Sequence, residues 1–436
     1  MFNKKSAANA GRFLFKWPTI FKHALKWPRS RRLPIPSLVI LFSLYFSQGL
    51  PSGILAHTLP ALMRDEGVAL EYIGLIKLLA LPWALKFLWA PYIDRIGFSG
   101  WGPNKSWIVV MQLILAGLIF MVSFSSQAHM FGVGIFIFLS GVLLVNTSAA
   151  TQDIATDGLA VKVLPESWRG LGNSIQVAGF KAGMILSGSL LLLGIDAFGW
   201  SFSFSLLAGV IVLLLLPVLF FKPAKLIAPN NVISSASKSE SPWLIYKTFF
   251  NLPSVRLWLP VLVTYKAADS LGSAMIKPLL IDQGFGLSDV ASLTFVSSFA
   301  GLLGAFLGGL AYYHFGQKRV LLTAGLMQAL GIAAFALIAY GYNDVLWIYS
   351  VSLFEQMADG ISTVALFSLM MAQCRSGHEG ADFTVQASIQ VLVSGVFGAL
   401  SGVLAAFFGF SIFFVLAGLL GLLALLPAVQ YFKHNY

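Results

Sequence analysis

The sequence predicts an all-α membrane protein of twelve transmembrane helices arranged as two six-helix bundles. Three observations predict it. The chain has 436 residues, of which 58% are hydrophobic and 10% charged, whereas a soluble domain carries about 25% charged residues. Its mean hydropathy is +0.83. The apolar stretches divide into twelve lengths near the roughly 20 residues that a helix needs to span a bilayer, and Lys and Arg gather on alternate connections.

The first 35 residues hold nine of the 28 Lys and Arg and no acid, with "FKWP" at 15–18 and "LKWP" at 25–28. A signal peptide needs an apolar core and a small-residue cleavage site, so this segment reads as a basic tail held in the cytoplasm, or a Trp/Phe-bearing helix on the inner leaflet. Spans follow near 36–63, 71–91, 106–126, 130–160, 170–194 and 199–221, then near 255–281, 288–312, 319–341, 345–372, 382–408 and 410–432. The connections at Phe198–Gly199 and Gly409–Phe410 are so short that the helices they join must be antiparallel neighbours. With the N-terminus inside, the inner loops carry Arg95, Lys105, Lys162, Arg169, Lys222, Lys225, Lys238, Lys247, Lys318, Arg319 and Arg375, while the outer loops carry Arg64. This asymmetry puts both termini in the cytoplasm. A Ser-rich linker, 222–254, containing "APNNVISSASKSESPW", separates an N-terminal bundle (36–221) from a C-terminal one (255–436).

The two halves hint at a repeat. "APYIDRIG" (90–97) follows span 2 and "GLAYYHFG" (309–316) follows span 8, 219 residues on, with Tyr313 and His314 where the first copy has Asp94 and Arg95. Two such halves are the architecture of major-facilitator transporters. The Asp94-Arg95-x-Gly97 element resembles the loop signature of the major facilitator superfamily, with "FSGWGPNKS" in place of the usual basic pair. "ALPWALKFLWAPYIDR" (80–95) and "ATQDIATDGLAV" (150–161) resemble the branch that holds AmpG-like muropeptide permeases, acetyl-CoA transporters and siderophore importers of the rhizobactin/pyochelin type. "SQGLPSGILAHTLPALMR" (47–64) looks most like the siderophore group. The resemblance implies a major facilitator fold in a bacterial inner membrane, spans 1, 4, 7 and 10 around a central cavity, a gating loop at Asp94, Arg95, Gly97 and Arg169, and a monomer as the working unit.

A charged side chain at bilayer depth costs at least ~2.5–3.5 kcal/mol on insertion scales, so such residues face a cavity, pair, or perform a task. The candidates are Lys77 and Lys86 on span 2, Asp153 and Asp157 on span 4, Lys181 on span 5, Lys266, Asp269 and Lys277 on span 7, and Glu355 and Asp359 on span 10, with Gln48, His57 and Gln356 as neutral partners. The acids fall on three of the four spans that the resemblance places around the cavity. Asp153 and Asp157 share a helix face, as do Glu355 and Asp359, and Lys266 can pair with Asp269 at i, i+3. Two readings stay open at each. Asp157 is a brace at the inner mouth, pairing with Arg95, Arg169 or Lys162, or a pathway residue. Glu355 and Asp359 carry protons, or form fixed bridges with Lys266 or Lys181. Lys266 and Lys277 meet an anionic substrate, or Lys266 is tied to Asp269. The facing of His57 depends on a kink at "GLPSG" (49–53), and it is either packed or part of coupling. Gly179-xxx-Gly183, Gly304-xxx-Gly308 and Gly398-xxx-Gly402 suit close helix approach.

No P-loop appears, and no Ser/His/Asp or HExxH arrangement, so neither ATP drive nor an enzyme is expected. One cysteine, Cys374, and six scattered histidines give no metal or disulfide framework. No cofactor and no nucleic-acid partner are expected. The function expected is secondary active transport, proton-coupled and inward, of a siderophore or, alternatively, of a muropeptide or an acetyl-CoA-type solute.

Overall fold

The computed structural model describes residues 35–65, 79–98, 100–125, 135–220 and 241–435. The basic tail, Lys77, the first part of span 2 and most of the Ser-rich linker lie outside them. Every described element is helical. Span 1 is Ile35–Gly53, continued through a π turn (Ile54–Thr58) into Leu59–Asp65. Span 2 is seen as Leu81–Leu85, a 3-10 turn at Lys86–Leu88, and Ala90–Ile93. Spans 3 and 4 are Pro103–Val122 and Ile135–Val163. Span 5 is Arg169–Ile185, a second π turn (Leu186–Leu190), and Leu191–Phe198. Span 6 is Trp200–Phe220. A linker helix, Pro242–Phe250, precedes span 7, which is broken into Pro253–Thr264 and Ala267–Asp282. Spans 8, 9 and 10 are Leu287–Phe315, Gln317–Ala339 and Val345–Gln373. Glu379–Leu423 holds spans 11 and 12, followed by Leu425–Asn435.

Seven described helices are long and apolar enough to cross a membrane. They cover eight expected positions, because spans 11 and 12 run together. The positions not among them are 2, whose first part lies outside the described residues, 7, which is broken into helices of 12 and 16 residues, and 4 and 10, which carry the two span-4 aspartates and the Glu355–Asp359 pair.

Three helix pairs turn on a single glycine. Gly199, Gly316 and Gly409 have φ of +85°, +76° and +74°, with ψ near 160°. Only a residue without Cβ adopts that conformation cheaply, so the antiparallel pairing expected at Gly199 and Gly409 has a local cause. Separate apolar cores form in the two halves, one around Leu115, Ile119, Phe204 and Ile211, the other around Ile332, Phe335, Phe413 and Phe414.

Glycines set the closest helix approaches. A Cβ on Gly49 would lie 2.1 Å from Phe180 O, and one on Gly183 2.1 Å from Phe46 O, so spans 1 and 5 meet backbone to backbone. Just beyond this contact the two π turns face each other. A π turn leaves a carbonyl without its usual helical donor, and here the Thr58 hydroxyl donates to Ser187 O and, at 3.1 Å, to Gly188 O. The Pro/Gly break expected in span 1 is realised as this π turn, and it leaves His57 exposed against Gly188. Gly304 and Gly308 likewise pack on Met357 and Ile361 of span 10. The Gly398–Gly402 pair does not serve close approach. A Cβ at Gly402 would meet nothing within 4 Å, and one at Gly398 only Ser270 O at 4.0 Å.

Candidate functional site: two buried ion clusters and a closed end

The first cluster lies in the N-terminal half. The 3-10 turn, set between two short helices that each carry a proline in the first turn, aims Lys86 at span 4. There the ammonium contacts Asp153 closely and stands 3.9 Å from Asp157. Tyr45 of span 1 donates its hydroxyl to Asp157 at 2.7 Å. All four are buried. Trp83 and Trp89 donate to Asn146 and Thr151 of span 4, at 3.2 and 3.1 Å, holding the irregular stretch in register. The cation beside Asp157 is therefore Lys86, delivered by the turn in span 2, where Arg95, Arg169 or Lys162 was expected.

The second cluster lies in the C-terminal half. The break at Tyr265–Lys266 frees Lys266 from a regular helix face. Its ammonium donates to Asp359 at 2.6 Å and to Ser362 at 2.7 Å, and stands 3.6 Å from Asp269. Ser362 also donates to Gln328 Oε1 at 3.0 Å, and Thr363 donates to Asp359 at 3.3 Å. Each half thus holds one lysine between two aspartates. The C-terminal copy is wetter, with 29% of the Asp359 side chain exposed against 3% for Asp157. Both tie-down readings for Lys266 hold at once: it is bonded to Asp269 and to Asp359.

Other candidates stand apart from these clusters. Lys181 reaches across to span 8, where the Cβ position of Gly301 lies 3.2 Å from its ammonium and 3.4 Å from Gln356 Oε1. Gln356 donates to Glu355 at 2.9 Å. Glu355 is buried and Lys277 is exposed. Gln48 is buried with no partner for its side-chain amide. An apolar cleft of about 620 Å3 between spans 1, 3, 4 and 6 has no ionisable residue in its described lining. Residue spacing did not reveal Tyr45 or Gln328, whose contacts are long-range. Ser362, three residues after Asp359, and Gln328, alone in "GLMQALG", were the available signals.

At the end that carries the inner-loop cations, the halves bond to each other. Asp94 accepts the backbone N–H of Gly380 at 3.2 Å and Ala381 at 2.7 Å, at the first turn of span 11. Unsatisfied N–H groups and the helix dipole favour an acceptor there. Burial pushes the Asp94 carboxyl up to about 7, although Lys162 and the two N–H groups pull it down. Lys162 pairs with Glu379 at 3.5 Å. Trp168 stacks on Tyr313, centroids 4.8 Å apart, and Gly170 abuts Tyr312 and Gly309. Asn173 donates to Ser368 at 3.1 Å, and Ser174 to Ala305 O at 2.5 Å. Arg95 and Arg169 stand half-buried at this end. Gly97 is required by packing, since a Cβ would lie 2.5 Å from Pro103 Cα. The linker helix straps the same end: Tyr246 donates to Phe87 O, while Arg375 donates to Thr248, Ile245 O and Asp382. The chain is therefore closed where the loop element lies.

The profile of the Major Facilitator Superfamily matches residues 41–398. The chain belongs to that superfamily. It is 27% identical over 411 residues to the anhydromuropeptide permease of Escherichia coli (strain K12), covering 92% of this chain and 81% of that one. It is 24% identical over 392 residues to the putative transporter AmpG 4 of Rickettsia conorii, covering 88% and 94%. An uncharacterized protein of Haemophilus influenzae is 28% identical over 407 residues, covering 88% and 93%. Among solved structures, the human organic anion transporter MFSD10 superposes with a TM-score of 0.66 at 16% identity, covering 91% of this chain and 100% of that one. The proton:xylose symporter XylE superposes at 0.64 and 13% identity, covering 92% and 94%. These likenesses establish the fold and a multi-pass membrane protein of a transporter family.

Proposed function

We propose that this protein imports anhydromuropeptide-type glycopeptides across a bacterial inner membrane by alternating access, coupled to protons and acting as a monomer. The observation that carries the reading is geometric. The halves are bonded at one end, while the Lys266–Asp359 cluster remains partly exposed. The Lys/Arg bias favours the cytoplasm for the bonded end, and on that reading this is an outward-facing form. The substrate class rests on two curated relatives that are anhydromuropeptide permeases by name. The stretch that suggested a siderophore lends that reading no structural support. Its Gly49, Gly53 and Thr58 are taken up by packing against span 5.

Proton coupling is placed on Asp359. Protonation of Oδ1 removes the nearer of the two carboxylate charges that hold Lys266, and the ammonium, left with Asp269 and Ser362, is then more weakly held and can meet an anionic group of the substrate. Proteoliposomes with an imposed pH gradient test this. Uptake of an anhydro-sugar peptide is expected, and none of a ferric siderophore. Asp359→Asn should abolish concentrative uptake and keep exchange. Unchanged concentrative uptake would refute the coupling role, and the absence of peptide uptake would refute the substrate class.

A further inference from the structure

Between spans 7, 8 and 10 lies a cavity of about 110 Å3, separate from the Lys266 cluster. Two of its lining side chains are buried and incomplete. Glu355 is 1% exposed, and while its Oε2 accepts from Gln356, its Oε1 has no partner. Ser352 is 4% exposed and its hydroxyl has no partner. Buried polar atoms without partners are rare, and each calls for an explanation.

The rest of the wall sharpens the chemistry. Thr294 donates its hydroxyl to Val290 O at 2.7 Å, and Ser297 and Ser298 donate to Thr294 O at 3.2 and 2.7 Å. A hydroxyl has one hydrogen, so these three have only lone pairs left to offer. The wall therefore offers oxygen lone pairs from span 8 together with Glu355 Oε1 and Ser352, whose hydroxyl can turn its lone pairs inward. Lys277 also lines the cavity; it is exposed and bonds none of these groups. Oxygen ligands around a single carboxylate suit a hard cation, and because the Lys277 ammonium opposes that one carboxylate the wall holds no charge for a divalent ion. The volume accommodates such an ion with one or two waters, at about 30 Å3 per water.

We infer that this cavity is a binding site for a small monovalent cation, Na+, held by Glu355 and Ser352 with the span-8 hydroxyls. The test uses the purified full-length chain without substrate or gradient, so its failure is distinct from failure of the transport reading. Thermal unfolding is followed in NaCl, KCl and N-methylglucamine chloride at fixed ionic strength. Na+ should raise Tm saturably, as a ligand of the folded state does. Glu355→Gln should raise the half-saturating Na+ concentration by roughly tenfold or more, and Ser352→Ala by about three- to tenfold. Ser352→Ala carries the test where Glu355→Gln does not fold. Lys277→Gln, which removes a repelling charge, should lower the half-saturating concentration. The inference is overturned by equal Tm in all three salts, by a Na+ response that both the Glu355 and Ser352 variants keep, or by a response that appears only once Lys277 is replaced.

Discussion

Asp94 should make closure of the end that carries its loop depend on pH. Its carboxyl is 7% exposed and accepts two backbone N–H groups from span 11. Burial pushes it up to about 7 in the closed form, against the pull of Lys162. Opening hydrates it and returns it to about 3.9. The closed form therefore keeps a proton that the open form releases. That contribution to closure is complete below the ordinary value and is lost as pH rises through about 7. Linkage between these two values gives a loss of roughly 2 kcal/mol from about pH 5.5 to about pH 8, or about 30-fold in the closed-to-open ratio. The assay is a distance distribution between spin labels on exposed Glu166 and Lys318 in a Cys374→Ser background. The short-distance population should shrink as pH rises, and Asp94→Asn should flatten the profile. A pH-independent distribution in the parent chain, or the same pH dependence in Asp94→Asn, would refute the reasoning.

Other consequences follow from the packing. Lys86→Met leaves Asp153 and Asp157 buried without their cation, and should destabilise by about 3–5 kcal/mol. Adding Asp153→Asn should recover part of this, as read by thermal unfolding. Gly183→Ala forces a Cβ to 2.1 Å from Phe46 O and 3.0 Å from Gly49 Cα, so spans 1 and 5 must part, at a cost of about 1–3 kcal/mol or more. Gly402→Ala, with nothing within 4 Å, should stay within about 0.5 kcal/mol. Equal losses at the two glycines would contradict the packing argument.

The architecture was legible because lipid imposes a length and a charge rule on each helix, and both are written in composition and Lys/Arg placement. The Asp94 loop was legible as a polar element after span 2. In the structure Asp94 faces the first turn of span 11, and Gly97 clears Pro103. The pairing of buried charges was not legible. Asp157 lies only five residues from Lys162 in the chain, yet its cation comes from span 2, because a 3-10 turn at Lys86–Leu88 rotates a lysine that ideal helical spacing would aim elsewhere. For Lys266 the spacing offered Asp269 on its own helix face or a bridge to span 10, and could not choose. The break at Tyr265 lets it meet both Asp269 and Asp359. Periodicity reads regular helices, and the ion clusters sit where helices depart from regularity.

The same departure shows in how each half is joined inside. In the N-terminal half, spans 1 and 5 meet backbone to backbone at Gly49 and Gly183, with Thr58 bridging the two π turns. The corresponding seam of the C-terminal half, spans 7 and 11, is joined through side chains: Ser270 to Ser394 at 2.9 Å, Trp258 Nε1 to Gln386 Oε1 at 2.7 Å, and Gln390 to Leu262 O. Its Gly398–Gly402 pair has no close neighbour. Small residues set a seam by letting backbones approach, whereas polar side chains set one across a wider gap. The broken span 7, which carries Lys266 and Asp269, lies on this wider seam, so the C-terminal ion cluster forms where side chains rather than backbones hold the helices together.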